Sequence, residues 1–301
     1  MDVIMELLAE LRTLIARHAG GEAARKALPD IVLANFSEPT LPLGYVGDPI
    51  FGLVAQGAKR AVLGDQVFDY AAGKYLIVGI ELPLVANVVQ ASVEEPCLGF
   101  GLTLKPFAVA NLLLESGARG DRRAPPGIAV SDADPELLDP IVRLLRLLDR
   151  PDDMPVLGPA VEREILWRLI KGEQGATVRQ LGLADSRLSQ ISRAVRWIRD
   201  HHAELLRIED LARVANMSAT SFFRHFRAVT SLTPIQYQKQ VRLREARAKL
   251  LANQRGVAAV GYAVGYDSPS QFSREYRRLF GTPPGRDTAR LLGTFVSASQ
   301  T

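Results

Sequence analysis

One unit is written twice in this sequence, over residues 208–234 and again over 257–284, and that duplication limits the fold more than any other feature. Leu211 corresponds to Val260, Val214 to Ala263 and Met217 to Tyr266, each pair 49 positions apart. Past the turn the offset becomes 50: Ser218 matches Ser268, Thr220 matches Ser270, Phe222 matches Phe272 and Arg224 matches Arg274. Phe226 with Tyr276, Arg227 with Arg277 and Pro234 with Pro284 continue the series. Each copy reads as a short helix, a tight turn and a second helix, with one residue inserted at the second turn. Ser218 is placed to cap the helix that follows it. Gly265 offers the left-handed backbone that ends a helix.

Within each second helix the large apolar residues, Phe222 and Phe226 or Phe272 and Tyr276, recur at i and i+4 and so anchor one face to a core. The other face carries Thr220, Ser221, Arg224 and Arg227 in the first copy, and Ser270, Gln271, Arg274, Arg277 and Arg278 in the second. An arginine fork can pair with guanine O6 and N7, glutamine can pair with adenine, and hydroxyls can reach base edges or phosphates. One Arg-rich helical face is as readily a solvated surface as a contact surface. Two copies with matched arginines favour a pair of DNA-recognition helices. Phe223 lies beside these residues, and the sequence leaves open whether it meets a thymine methyl or packs inward.

Charge divides the chain the same way. From Arg187 onward there are 19 Lys and Arg against 8 Asp and Glu, whereas residues 1–186 hold 18 against 25. A basic carboxy-terminal third suits a polyanionic partner, and the acidic remainder does not.

The span from about Ser189 to Thr282 resembles the DNA-binding domain of AraC/XylS-type transcriptional regulators. The run Gly265-Tyr266-Asp267-Ser268-Pro269-Ser270-Gln271-Phe272-Ser273-Arg274, followed by Phe280-Gly281 and Pro284, carries the likeness. The resemblance implies an opening helix near Ser189–His201, two helix-turn-helix units, a joining helix near Pro234–Leu251 and a closing helix. It implies base or backbone contacts from Thr220, Ser221, Phe223, Arg224, Ser270, Gln271 and Arg274. Asp287 and Thr288 depart from the family's aromatic and basic pair, which predicts a more loosely docked closing helix. On the joining helix, Val241, Leu243, Ala246, Leu250 and Leu251 are placed to be buried, with Lys239, Arg242, Arg244, Arg247 and Lys249 toward solvent or phosphate. Two recognition helices about 34 Å apart would enter successive major grooves, so one protomer would read a bipartite site.

The amino-terminal part opens with helical periodicity at Val3, Ile4, Leu7, Leu8, Leu11, Leu14 and Ile15, read as an arm over residues 1–30 or a dimer element. From Ile31 to Leu104 short β-type runs follow, at Phe51–Ala55, Lys59–Leu63, Gln66–Tyr70, Lys74–Ile80, Ala86–Gln90 and Cys97–Leu104, with Gly64-Asp65 as a hairpin turn. Such spacing predicts a small barrel or jelly roll. The stretch resembles the cupin-like effector domain of one AraC-type subgroup, giving an α+β chain with an effector and dimerisation domain over 31–171. Helices are expected over Pro135–Leu148 and Pro159–Lys171, a linker over 172–186 and the DNA-binding domain over 187–301. The resemblance favours a homodimer through those helices. RNA polymerase is a further candidate partner.

No enzymatic constellation is visible. The four histidines, His18, His201, His202 and His225, all lie outside the strand region, so neither a cupin-type metal centre nor any other cofactor is expected. Neither a nucleophile triad nor a phosphate loop is present. A single cysteine excludes an intramolecular disulfide, and an apolar run of membrane-spanning length is missing, which points to a cytoplasmic protein. Cys97, flanked by apolar residues, reads as core rather than sensor. Arg119, Arg122 and Arg123 read first as a solvated loop. The Arg-x-x-x-Arg spacing also resembles the cyclic-dinucleotide loop of PilZ-type proteins, which makes these residues a candidate effector clamp. Two functions stay open: an effector-responsive regulator, or a DNA-binding protein whose amino-terminal domain only dimerises.

Overall fold

The computed structural model describes residues 2–20, 23–117, 125–252 and 256–298, so the proposed clamp of Arg119, Arg122 and Arg123 lies outside the described residues. Contacts divide the chain into two compact units, 1–192 with 224–231, and 193–223 with 232–301.

The first unit begins with helix α1 (Asp2–His18), then strands β1 (Ala23–Leu28), β2 (Ile31–Phe36), β3 (Leu43–Val46), β4 (Ile50–Gln56), β5 (Ala58–Leu63), β6 (Gln66–Ala71), β7 (Lys74–Val78), β8 (Pro83–Gln90) and β9 (Cys97–Thr103). Helix α2 (Pro106–Ser116), strand β10 (Ile128–Asp132) and helices α3 (Pro135–Arg146), α4 (Met154–Lys171) and α5 (Gly175–Leu181) follow. The strands form two antiparallel sheets, ordered β1-β2-β9-β4-β7-β10 and β3-β8-β5-β6. The expected hairpin is present: Leu63 pairs with Gln66 across a two-residue turn in which Gly64 has φ +60°. Sequence periodicity missed β1, β2, β3, β10 and α2. β1 carries Arg25 and Lys26 rather than a continuous apolar run, and β3 is only four residues long.

Three expectations need correction. Helix α1 is not a free arm: Leu11 and Ile15 are fully buried, the helix packs on α3, and Arg146 forks onto both carboxylate oxygens of Glu10 at 2.6 and 2.7 Å. Helix α4 starts at Met154, not Pro159, because Pro155 occupies the first turn, where a missing N–H has no consequence. Pro159 then lies inside the helix. The stretch expected as a linker contains α5, which buries Val178 and Leu181 and packs against α2 and α4. Its glycines permit close approach rather than flexibility. A Cβ on Gly182 would lie 2.6 Å from the Ala110 nitrogen, and one on Gly175 would collide with the Ile170 carbonyl.

Seven further helices are α6 (Arg187–Asp200), α7 (Ile208–Val214), α8 (Ala219–Thr230), α9 (Pro234–Leu251), α10 (Val257–Ala263), α11 (Pro269–Phe280) and α12 (Pro284–Ala298). The division between units falls inside α8, whose Val229 carbonyl accepts from the Gly127 N–H at 3.0 Å within the first unit. In the second unit, Leu243, Ala246 and Leu250 of α9 share a core with Val260, Val264, Tyr266, Phe272 and Tyr276. Thr233 and Gln236 form a reciprocal capping box at the start of α9.

The expectation that the basic residues of α9 face solvent fails for most of them. Arg242 donates to the carbonyls of His202, Glu204 and Gly265 at 2.6, 2.9 and 2.7 Å, closing backbone ends that have no helical partner. Arg244 is buried, and that burial pulls its guanidinium down to about 10. Arg247 is buried and forks onto Asp287 at 2.8 and 3.1 Å. The departure at Asp287 therefore tightens the closing helix. Its carboxylate is fully buried and also accepts from the Tyr276 hydroxyl at 2.9 Å and from Arg290 at 2.9 Å.

Burial pushes the Asp287 carboxyl up, but the bonds from Arg247 and Tyr276 outweigh it and hold the group below the ordinary aspartate range. A carboxylate held low in the folded state contributes stability above its unfolded pKa and loses it as pH falls through the folded value. Asp287→Ala should therefore cost about 3–5 kcal/mol near neutrality by leaving Arg247 buried without its counter-charge. In urea denaturation the penalty should shrink once the pH drops below the aspartate range. A penalty of equal size throughout would show that charge does not hold α12.

Candidate nucleic-acid interface

The duplication extends from side chains to backbone hydrogen bonds. In the first turn the Asn216 N–H donates to the Arg213 carbonyl at 3.0 Å, and the Met217 N–H to the Ala212 carbonyl at 2.9 Å. In the second, Gly265 donates to Tyr262 at 3.0 Å and Tyr266 to Gly261 at 3.1 Å, each bond displaced by 49 residues. Both turns reverse through left-handed backbone, with φ +54° at Asn216 and +90° at Gly265. Asparagine tolerates that region, and Asn216 is exposed. Glycine is required at 265, because a Cβ there would collide with the Ala203 carbonyl.

Past each turn a serine caps the second helix. The Ser221 N–H donates to Ser218 Oγ at 3.3 Å, and the Gln271 N–H donates to Ser268 Oγ at 3.4 Å, 50 residues on. Pro269 occupies the first turn of α11. Phe222 and Phe226 of α8, and Phe272 and Tyr276 of α11, are fully buried. Gly261 allows α10 to cross close to α11, since a Cβ there would lie 3.0 Å from the Phe272 ring.

With those side chains inward, the proposed contact residues fall outward. On α8, Thr220, Phe223, Arg224 and Arg227 are exposed and Ser221 is half-buried. On α11, Ser270, Arg274, Arg277 and Arg278 are exposed and Gln271 is half-buried. Phe223 projects to solvent with 42% of its surface exposed, which rules out inward packing. His225 adds little charge to α8: burial, then the positive charges of Arg187 and Arg224, push its imidazole below the ordinary histidine range.

Sequence reasoning missed Glu275. It is buried on α11 and accepts from Lys239 at 2.8 Å, from the Tyr266 hydroxyl at 3.0 Å and from Gln271 Nε2 at 3.3 Å. Burial raises this carboxyl, but those three bonds outweigh it and leave its pKa lowered. The network ties α9, the second turn and α11 together and fixes the direction of the Gln271 amide. The signal available in the sequence was the i, i+4 spacing of Gln271 and Glu275.

Among the described residues there is no group of His, Cys, Asp and Glu suited to a metal ion, and no helix is long and apolar enough to cross a membrane. Residues 27–177 match the family model for the AraC-type transcriptional regulator N-terminus, and residues 211–290 match a helix-turn-helix domain model. The chain is 25% identical over 243 residues to the virulence regulon transcriptional activator VirF of Yersinia enterocolitica, covering 78% of this chain and 86% of that protein. It is 30% identical over 159 residues to the transcriptional activator RhaS of Salmonella agona, covering 50% of this chain and 56% of the relative. In fold it is similar to ToxT of Vibrio cholerae, with a TM-score of 0.53 at 9% identity over 87% of this chain and 97% of ToxT.

Because Phe223 supports no core, Phe223→Ala should leave urea-denaturation stability within about 0.5 kcal/mol of wild type. A larger loss would assign the ring to packing.

Proposed function

The chain belongs to the AraC-type transcriptional regulators, and we propose that one protomer reads a bipartite operator with both helix-turn-helix units while the amino-terminal β-domain senses a small molecule. The observation that carries the first half of this reading is the repeat itself. The same buried anchors, capped turn and outward arginines occur at α8 and α11, so either helix offers the same chemistry to a major groove. Arg224 and Arg274 are the matched pair for base readout. Thr220, Ser221, Ser270 and Gln271 sit at the entry ends of their helices, and Arg227, Arg277 and Arg278 flank them as phosphate contacts. Phe223 supplies an apolar contact of the kind a thymine methyl accepts.

The sensing half rests on the likeness of the β-domain to ToxT, which has been solved with an unsaturated fatty acid bound. A ligand changes output only through different affinities for the states it selects, so sensing requires effector-linked DNA affinity. A homodimer through the helices that follow the β-domain, contact with RNA polymerase, a cytoplasmic location and the absence of enzymatic activity belong to the same reading. Cyclic dinucleotide remains a test ligand for the arginines at 119, 122 and 123.

Fluorescence anisotropy of the full-length protein on its own upstream DNA and on scrambled DNA, across a salt series, tests the first half. A preference on the order of 10³-fold or more supports specific readout. Equal and steeply salt-dependent binding argues against it. Arg224→Ala and Arg274→Ala should each cost about 1–3 kcal/mol on the preferred site and relax specificity at one half of it. A matching loss on scrambled DNA would reduce both arginines to phosphate contacts. A thermal-shift panel of metabolites and nucleotides tests the second half, since a ligand of the native state must stabilise it.

A further inference from the structure

Helix α11 opens with the spacing of a capping box that it does not complete. In α9 the box closes both ways: the Gln236 N–H donates to Thr233 Oγ1 at 3.2 Å, and the Thr233 N–H donates to Gln236 Oε1 at 2.9 Å. At the start of α11 the same two positions hold Ser268 and Gln271. The serine arm is made, since the Gln271 N–H donates to Ser268 Oγ at 3.4 Å. The return arm is not formed among the described residues. Instead the Gln271 side chain turns forward along the helix, where its Nε2 donates to Glu275 Oε1 at 3.3 Å.

That partner sets the polarity of the edge that Gln271 turns outward. In a capping box the amide oxygen accepts from the backbone, which leaves the amide nitrogen, a donor, outside. Against Glu275 the order reverses. A carboxylate only accepts, so the nitrogen must face it, and a flipped amide would set its oxygen against a negative charge. The other partners of Glu275 are donors as well: Lys239 Nζ reaches Oε1 at 2.8 Å, and the Tyr266 hydroxyl reaches Oε2 at 3.0 Å. Burial raises this carboxyl, but the three donors leave its pKa lowered, so it is ionised at neutral pH. Gln271 Oε1 accepts no hydrogen bond among the described residues.

The orientation of an amide decides which base it suits. In the major groove adenine shows the N6 amino donor beside the N7 acceptor, whereas guanine shows acceptors at both O6 and N7. A freely turning glutamine serves either base. It meets adenine with its oxygen and one N–H, or guanine with N–H groups alone. Held by Glu275, it keeps the oxygen outward, and guanine then brings O6 against that oxygen.

We propose that Glu275 determines specificity in the second helix-turn-helix unit: by holding Gln271 Nε2, it makes Gln271 read adenine and reject guanine at one position of the operator. Glu275 itself touches no DNA and is a positioning residue, tied to α9 through Lys239 and to the second turn through Tyr266. The proposal rests on base readout by α11 and names the base.

The test is selection by the full-length protein from a pool of random duplexes about three helical turns long, followed by base counts at each position of the recovered site. Gln271→Ala marks the position that Gln271 reads, as the one where preference disappears. Wild type should favour adenine over guanine there by about tenfold, within the range of one bidentate contact. Glu275→Gln keeps the side-chain volume but both donates and accepts, so Gln271 is free to flip. It should bring adenine and guanine to within about twofold at that position and leave the other positions as in wild type. Glu275→Met, apolar and of similar length, should also abolish the preference, so the result does not depend on one substitution folding. A purely structural role would weaken every position of the α11 half-site alike. In fluorescence anisotropy with wild type, replacing that adenine by purine, which lacks the N6 amino group, or by 7-deazaadenine, which lacks N7, should weaken binding by about tenfold. The proposal is overturned if the Gln271 position prefers another base, if the Glu275 variants keep the adenine preference, if their loss spreads over the whole half-site, or if purine binds as adenine does. If wild type recovers a site in which no position depends on Gln271, base readout stands and only this inference fails. If wild type enriches no sequence at all, readout fails and the inference with it.

Discussion

The ion pair between Arg247 and Asp287 holds the second helix-turn-helix unit in shape. Both side chains are almost entirely withdrawn from water, at 7% and 0% exposed, and Tyr276 closes the cluster from α11. Three helices thereby meet at one carboxylate: α9 through Arg247, α11 through Tyr276 and α12 through Asp287 itself. Arg247 also lies 4.5 Å over the Phe280 ring, a cation–π contact that ties it to the end of α11. An apolar cluster of similar volume would stabilise the unit as well or better. A fork onto a carboxylate also fixes orientation, because only one relative rotation of the helices satisfies both donors. A recognition helix needs that fixed orientation, since groove readout depends on where its side chains point.

Much of the second unit was legible because its constraints are local and written twice. The i, i+4 aromatic spacing fixed which face of α8 and α11 is buried, and the glycine at 265 marked a turn with a steric reason behind it. The hydrogen bonds repeat with the same offsets as the residues. The destinations of the long basic side chains were not legible. Arg242 and Arg247 look like part of a solvated stripe in sequence, yet each is claimed by a partner far away in the chain, Gly265 or Asp287, while Arg244 is buried and turns back onto Gln240 one helical turn earlier. A guanidinium on a flexible stem reaches partners that helical periodicity cannot name.

Glycine misled in the opposite direction. Three glycines between Gly172 and Gly182 suggest a flexible connection, whereas two of them let α5 pack so closely that no side chain would fit. In β4 the same residue does the reverse, since a Cβ on Gly52 would meet no described atom within 4 Å. Composition cannot separate these uses. Close approach and vacancy differ only in what the opposite element supplies.

These assignments change how the charge of the carboxy-terminal third should be understood. Its excess of Lys and Arg still sets a long-range field that steers a polyanion toward it. Counterion release, however, counts only the cations that reach phosphates. Lys239, Arg242, Arg244 and Arg247 are held by internal partners or by burial, so they contribute to the field without contributing contacts. In the proposed reading, the exposed arginines of α8 and α11 serve base readout and phosphate neutralisation together. Under that reading a loss at α8 or α11 lowers specific and non-specific binding together unless base contacts separate them.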